Sequence, residues 1–501
     1  MSVRQLAAKG AILLTLGEGI GYAASFVRNM ILARMLSKAD FAMAAVFGMV
    51  MSLLEFTAKL GIARFLVRDK EGNDPTFVAT AHGLQLASAL VSALMITAGA
   101  PILARLFGLP GHVWAICLLA VVALLRGLEH LDVRRYEREL RFGPVTLVEA
   151  IPQVLMTLAA WPVAYWLGDY RAVLILLFGK SLLSCVLSHL LAERSYRWSW
   201  QPKYAVRMLR FGWPLLLTGF LLFGIMQGDQ FLVATFYSMM DLAPYAAAVG
   251  LVMAPQFVCG RVFNSVTLPL MAKVQDDPVQ FRRRYQQVLS VMTLYATVSG
   301  VGFLLGADGL MRLVYGPKYA GTGYLLAWLA ASGAFRALRM APAVAAIAKG
   351  DSQNQLLSNL ARAGSLLPAF VLAQHGQPLW MVAGCGLVGE ALGGVVSLWR
   401  LRVRDKIPVG LTLRPMLGTA ALLLSTAMLR TLLSGWPVWM VMALAVAAAI
   451  VVAVSVVLAI PELRVEAWTA VLWWENIRDG GSAVSMKSLA SNLLCGRSKD
   501  C

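Results

Sequence analysis

Long apolar runs alternate with short polar connections along nearly the whole chain. Each run has about 20 residues or more, which lets an α-helix cross a hydrocarbon core roughly 30 Å thick. The predicted fold class is therefore an all-α integral membrane protein with about fourteen transmembrane helices. They are expected near residues 10–35, 41–66, 80–104, 112–132, 144–167, 172–192, 211–236, 244–271, 287–313, 322–347, 354–374, 378–399, 411–433 and 436–460.

Composition and charge agree with a membrane protein. Of the 501 residues 59% are hydrophobic and 14% are charged, whereas an ordinary soluble domain has roughly 25% charged residues. The formal net charge is +18, but no connection has the basic, aromatic-interleaved character of a nucleic-acid-binding module, so we expect no nucleic-acid partner. The six cysteines form no CxxC pair, and His112, His189 and His375 lack ligand spacing, so no metal site is predicted.

The distribution of Lys and Arg predicts the orientation. With the N-terminus inside, the inner connections and the two termini hold 29 of the 44 cations, the outer connections hold seven and the helices hold eight. Cytoplasmic connections of membrane proteins are enriched in Lys and Arg. Both termini are therefore predicted to be cytoplasmic.

A shift of 201 residues aligns two turns between consecutive helices, matching Ser37 and Asp40 with Ser238 and Asp241. Two sets of six helices that begin on the same side would be parallel repeats, as in some transporters. We therefore predict an N-terminal six-helix lobe over residues 1–200 and a C-terminal six-helix lobe over 201–405. Two additional transmembrane helices follow over 406–461, and a cytoplasmic tail over 462–501.

Charged residues inside membrane helices are the candidate functional residues, because each costs about 2.5–3.5 kcal/mol at a helix centre unless it faces protein or water. Some can be neutralised locally, Glu55 by Lys59 and Arg126 by Glu129, and such pairs would be consistent with a structural role. The cations are Arg28, Lys59, Arg126, Lys180, Arg261, Arg336, Arg339 and Arg362, and the acids are Glu18, Glu55, Glu129, Glu149, Asp229 and Glu390.

Arg336 and Arg339 lie one turn apart on a single helix with no acid within a turn. Like charges in this arrangement repel each other and favour an anionic ligand; the alternative is that an acid of a neighbouring helix, such as Glu390, neutralises them. Asp229 has two interpretations as well, because it would either hold a proton or cation or pair with Arg28.

Several sequence blocks resemble the polysaccharide-biosynthesis flippases of the multidrug/oligosaccharidyl-lipid/polysaccharide (MOP) exporter superfamily. They include NMILARMLSKADFAMAAVFGMV from Asn29, KLGIARFLVR from Lys59, VTLPLMAKVQDDPVQFRRRY from Val266 and GLMRLVYGPKYAGTGYLLAWLA from Gly309. Their order and spacing are similar to the family's over roughly residues 3–405. Ala42, where many relatives have glycine, and Gln230, where arginine is frequent, depart from the pattern.

The resemblance implies two six-helix lobes arranged as a V, alternating access, and a non-enzymatic flippase of the bacterial inner membrane. Its cargo would be an undecaprenyl-diphosphate-linked oligosaccharide, with membrane lipids, a polysaccharide polymerase and a chain-length regulator as further partners. No cofactor is expected beyond coupling to H⁺ or Na⁺. We predict a cationic substrate site formed by Arg28, Asn29, Lys59, Arg261, Arg336 and Arg339, with ion coupling at Glu18, Glu55 or Asp229.

Two other functions remain as alternatives. A cation-coupled multidrug efflux pump of the same superfamily would favour carboxylates and aromatic residues, whereas the helices here carry eight cations against six acids. A membrane glycan polymerase or ligase would need a sizeable outer loop with catalytic groups, and every predicted outer connection is shorter than about fifteen residues.

Overall fold

The computed structural model describes residues 3–57, 61–139, 141–460 and 463, and the regular structure in these ranges is helical throughout. The predicted tail over 462–501 lies outside the described residues, apart from Leu463. The helices are α1 (Val3–Met35), α2 (Lys38–Thr57), α3 (Ile62–Arg68), α4 (Pro75–Leu106), α5 (Val113–Gly127), α6 (Asp132–Arg138), α7 (Gly143–Leu167), α8 (Arg171–Leu190), α9 (Pro202–Phe236), α10 (Met239–Ala272), α11 (Pro278–Leu305), α12 (Ala307–Tyr315), α13 (Gly323–Ala348), α14 (Ser352–Gly364), α15 (Leu366–Gln374), α16 (Leu379–Asp405), α17 (Gly410–Leu432) and α18 (Val438–Ala459).

The predicted all-α membrane fold is confirmed. Within the described residues, eleven segments are long and apolar enough to cross a membrane. They are α4, α5 with the turn before it, α7, α8, α9, α10, α11, α14 with α15, α16, α17 and α18. The other three predicted spans, over 10–35, 41–66 and 322–347, overlap α1, α2 with α3, and α13.

Some predicted helices are shorter than expected. The predicted span over 112–132 ends at Gly127, and the one over 287–313 is divided between α11 and α12. Gly306 follows the last residue of α11 as its C-terminal cap. Gly61 has a left-handed backbone (φ 64°) just before α3, a conformation that glycine adopts without steric cost. Because these breaks follow local backbone geometry, hydropathy alone does not locate them.

Contacts divide the chain into two compact units. Unit 1 comprises Met1–Val262, Asp308–Leu329 and Asn359–Gly389, and unit 2 comprises Phe263–Ala307, Ala330–Ser358 and Glu390–Cys501. The two-lobe division proposed from the sequence places its boundaries elsewhere and stays a prediction.

Within unit 1, α1 packs on α7, α7 on α8, α4 on α5, and α2 on α9. Gly17 permits the first of these approaches, because a Cβ at this position would overlap the Thr146 side chain. Asp74 caps α4 by accepting from the backbone N–H groups of Thr76 and Phe77. This cap satisfies N–H groups that the first turn of a helix leaves without partners.

Within unit 2, α11 packs against both α17 and α18. The hydroxyls of Tyr285 and Thr412 lie 2.5 Å apart and are buried, which joins α11, about two turns after its start, to the first turn of α17. Asp277 caps α11 through the backbone N–H groups of Val279 and Gln280.

The two turns that the sequence aligns have the same structure. Helix α1 ends at Met35 and α9 at Phe236, while α2 begins at Lys38 and α10 at Met239, so both boundaries differ by the same 201 residues. At each turn the serine hydroxyl donates to an aspartate, Ser37 to Asp40 at 2.5 Å and Ser238 to Asp241 at 2.6 Å, and accepts from that aspartate's backbone N–H. The matching caps support an internal duplication.

Candidate functional site

Arg28 lies in α1, seven residues before the helix ends at Met35. Its side chain is partly buried, and its Nη1 has no access to solvent and no hydrogen-bond partner among the described residues. Asn29, the next residue, is exposed. A buried guanidinium nitrogen without an acceptor is costly, so Arg28 is a cation of unit 1 that the described residues do not neutralise.

Arg261 of α10, by contrast, is paired. Its Nη2 donates to Oε1 of Glu18 in α1, and one turn away Tyr22 stacks on Phe257 with ring centroids 5.2 Å apart. The predicted cationic residue Arg261 and the predicted coupling residue Glu18 therefore meet. Arg261 remains about half exposed, with 54% of its side-chain surface accessible.

Glu55 of α2 pairs with a residue outside its own helix. Arg126 Nη1 of α5 donates to Glu55 Oε1 at 2.7 Å. Helix α5 ends at Gly127, so Arg126 and Glu129 do not lie on one helix as expected. Lys59, the expected local partner of Glu55, lies outside the described residues. A pair between two helices, Glu55 with Arg126, is therefore present, and the two expected local pairs stay predictions.

Asp229 belongs to a polar row on α9. Its carboxylate accepts from the Tyr245 hydroxyl at 2.9 Å and from the backbone N–H of Gln230 at 2.8 Å. Nη1 of Arg28 has no hydrogen-bond partner among the described residues, and the pairing of Asp229 with Arg28 stays a prediction. Gln230, at the position where relatives often have arginine, donates its amide to Gln227 at 3.0 Å.

In unit 2, Arg336 and Arg339 of α13 share one buried acid. Arg336 Nε donates to Glu390 Oε1 at 2.7 Å and Arg339 Nε donates to Oε2 at 3.2 Å. Glu390 is only 2% exposed, and Arg339 also donates to the Ser358 hydroxyl at 3.2 Å. The alternative in which Glu390 neutralises the two arginines is the arrangement found. Two cations on one acid leave a formal excess of one positive charge.

A histidine cluster that the sequence analysis did not find lies near the ends of α4, α5 and α8. The ring centroids of His82 and His130 are 4.8 Å apart, those of His130 and His189 are 5.2 Å apart, and Tyr196 contacts all three rings. His189 lacks ligand spacing in the sequence, but in the structure it has a second histidine beside it, and it is exposed.

Burial lowers the pKa of His130 and favours its neutral form. His130 Nδ1 accepts from the backbone N–H of Asp132 at 3.1 Å, so the neutral tautomer has its proton on Nε2. The described residues contain no His, Cys, Asp and Glu group arranged to hold a metal ion. No sequence signal brings these histidines together, because the chain positions are too far apart.

The fold is similar to that of solved membrane transporters. The inward closed conformation of the lipid II flippase MurJ matches with a TM-score of 0.69 and 13% identity, covering 91% of this chain and 99% of that one. An inward-facing multidrug resistance MATE family transporter of the MOP superfamily matches with a TM-score of 0.54 and 16% identity, covering 84% and 96% of the two chains. The protein is thus a multi-pass membrane protein with the fold of MOP-superfamily transporters.

The sequence model of a family described as "Polysaccharide biosynthesis protein" matches residues 31–322, which is more than half of the chain. The chain belongs to this family. It is also similar to the amylovoran biosynthesis protein AmsL of Erwinia amylovora, with 23% identity over 147 residues, or 29% of this chain. The match spans 37% of the length of AmsL.

Proposed function

We propose that the protein moves an undecaprenyl-diphosphate-linked oligosaccharide from the cytoplasmic to the periplasmic leaflet of a bacterial inner membrane by alternating access. Both termini would be cytoplasmic, and the delivered units would pass to a polysaccharide polymerase with its chain-length regulator. Membership in a polysaccharide biosynthesis family supports this cargo class, as do a relative named for amylovoran biosynthesis and a structural neighbour named as a lipid II flippase.

The observation that carries the proposal is the unpartnered, buried Nη1 of Arg28. A guanidinium has donors in a planar fork that matches phosphate oxygens, and charge-assisted bonds of this kind are among the strongest hydrogen bonds in proteins. A diphosphate would supply the acceptors that the described residues do not. Because Nη1 is closed off from solvent here, binding requires a second conformation that opens this part of α1.

Coupling to H⁺ or Na⁺ would act on carboxylates that already have defined partners. Glu18 accepts from Arg261, so a proton or cation on Glu18 would weaken that pair and release the α1–α10 contact. Glu55, paired with Arg126, and Asp229, held by Tyr245, are the other coupling candidates. Binding at any of them would change a contact between helices, as a coupled conformational cycle requires.

The test measures translocation directly. Purified protein is reconstituted into vesicles carrying a labelled polyprenyl-diphosphate-linked oligosaccharide, and exposure of the sugar on the opposite leaflet is followed with a membrane-impermeant glycosidase. We expect Arg28→Gln to slow translocation by about 10- to 100-fold, the equivalent of one charge-assisted hydrogen bond, and Arg28→Lys to retain part of the rate.

The matched control is Arg312→Gln, which removes one charge from an exposed position on α12 and should translocate at the wild-type rate. Equal rates for Arg28→Gln and wild type would remove Arg28 from the site. Wild-type vesicles that leave the oligosaccharide in place but extrude a cationic amphipathic dye in an ion gradient would instead identify an efflux pump.

A further inference from the structure

An open groove lies in unit 2 where α16 ends and α17 begins. Its volume is about 470 Å³, and it is lined by Arg402, Lys406, Ile407, Pro408, Val409 and Gly410. Lys406 has a left-handed backbone, with a φ of 55°, and is the one non-glycine residue with positive φ among those described. Helices often end on such a residue, which is usually glycine. Here a lysine takes the position and lines the groove.

A second basic segment reaches the same place through packing. The Tyr285–Thr412 contact holds the start of α11 beside the start of α17. One turn earlier on α11, Arg282 Nη2 donates to the backbone carbonyl of Lys406 at 3.3 Å. Arg283 and Arg284 follow it and are exposed. The Arg282 side chain therefore contacts the backbone of a residue 124 positions away, at the segment between α16 and α17.

The positive charge of this region is largely uncompensated. Arg400 and Arg404 pair with Asp351 at 2.7 Å and 3.2 Å, whereas Arg402 and Lys406 form no ion pair with any described residue. Arg282 and Arg283 of α11 and Arg414 of α17 likewise form no ion pair with any described residue. Asp405 is the one acid between residues 400 and 414, so the groove retains a clear excess of positive charge.

Exposed apolar side chains continue from the groove along both helices. On α16, Trp399 and Val403 are one turn apart and exposed; on α17, Leu413 and Leu417 are likewise one turn apart and exposed. Both helices are long and apolar enough to cross the membrane. The groove thus has cations at the ends of two helices that are apolar enough to cross the membrane, and exposed apolar side chains lie next to it on both helices.

We propose that this groove binds an anionic phospholipid, with the phosphodiester headgroup between Arg402 and Lys406 and the acyl chains along the exposed apolar faces of α16 and α17. Basic pockets at the cytoplasmic ends of transmembrane helices bind acidic lipid headgroups in this way. Enrichment of cations on the inner side explains the sign of the charge. That enrichment alone does not explain why a groove is present, or why two segments distant in the sequence converge at this groove.

The experiment uses the purified full-length protein, freed of lipid in detergent and titrated during native mass spectrometry. The probes are phosphatidylglycerol and phosphatidylcholine with identical acyl chains, which share the phosphodiester and differ in net charge, and inorganic phosphate is added as a competitor. We expect wild type to prefer phosphatidylglycerol. The double variant Arg402→Gln/Lys406→Gln should lose about 30-fold in affinity for that lipid, while its phosphatidylcholine binding stays unchanged.

The matched control Lys203→Gln/Arg210→Gln removes the same two charges from exposed positions at the start of α9 and should bind as wild type does. A second variant, Lys406→Gly, distinguishes lost lipid binding from misfolding, because glycine adopts this backbone conformation without strain. The Lys406→Gly protein should unfold at the wild-type temperature or higher and still lose affinity for phosphatidylglycerol. Equal binding of both lipids, an equal loss in the control, or displacement by inorganic phosphate at the same concentration as lipid would each overturn the proposal.

Discussion

The two units both place arginine inside membrane helices, but they satisfy it in different ways. In unit 2, Arg336 and Arg339 converge on Glu390, and Arg339 also has the Ser358 hydroxyl. In unit 1, Arg28 has a buried nitrogen for which the described residues provide no acceptor. A charged residue in a membrane helix is therefore weak evidence for a binding site until its partners are known.

The difference also bears on conformational change. An ion pair that is buried and shared by two arginines holds α13 to α16 in this conformation, because removing the acid would strand two charges. An arginine without an acceptor gains its missing partner only from a ligand or from another conformation. The unit-2 triad therefore indicates a structural role, and Arg28 is the better candidate for substrate binding.

The largest effect that would test this contrast is expected for Glu390→Gln. Loss of the carboxylate removes the charge that the buried Arg339 and the partly buried Arg336 share, which should cost about 3–5 kcal/mol of folding free energy. Thermal unfolding in detergent measures it, with Glu18→Gln as a control that strands only the half-exposed Arg261. A Glu390→Gln protein as stable as wild type would remove the structural role of the triad.

The second prediction concerns Arg28→Met. This substitution removes a buried donor that has no acceptor, so the protein should become more stable by about 1–3 kcal/mol while translocation is lost. The same unfolding measurement, combined with the vesicle assay, checks both parts. Destabilisation together with loss of transport would show that Arg28 has a structural role instead.

The third prediction uses pH to examine a unit-2 aspartate, Asp351, that lies between α13 and α14. Hydrogen bonds from Arg400 hold the pKa of Asp351 below its usual range. The ionised aspartate therefore stabilises the folded protein above the unfolded-chain pKa of roughly 3.9, and this contribution is lost as pH falls through the lower folded pKa. Asp351→Asn should be less stable than wild type at pH 7, and the gap should close below about pH 3.9.

The exposed Asp276 provides the control for this series, because it forms no ion pair within the described residues. Asp276→Asn should unfold like wild type at every pH. A gap for Asp351→Asn that is constant from pH 7 to pH 3 would mean that its charge does not contribute.

The smallest effect is expected for the Glu18–Arg261 pair of unit 1. Because Arg261 is about half exposed, a double-mutant cycle with Glu18→Gln and Arg261→Gln should give a coupling free energy below about 1 kcal/mol. The cycle is measured by thermal unfolding. A coupling of several kcal/mol would place this pair with the unit-2 triad and weaken the distinction between the two units.

Much of the fold could be predicted from sequence, and less of the candidate site. Apolar run length located the helices, and the turn residues Ser37 and Asp40 indicated a repeat that the helix ends of α9 and α10 support. For Glu55 and Arg126, the sequence predicted partners within a few residues on the same helix, and for Glu18 and Arg261 it predicted none. Glu55 with Arg126 and Glu18 with Arg261 join different helices, and no spacing rule relates residues 71 or 243 positions apart.

The sequence by itself determined that this chain is a bundle of membrane helices, because a backbone in hydrocarbon must satisfy its own hydrogen bonds and a helix does so locally. Only the tertiary structure decided which charges are neutralised, because an ion pair depends on atoms being within about 4 Å and chain separation does not control that distance. Glu390 neutralises two arginines of α13 for this reason, and Arg28 of α1 has a buried nitrogen without an acceptor among the described residues.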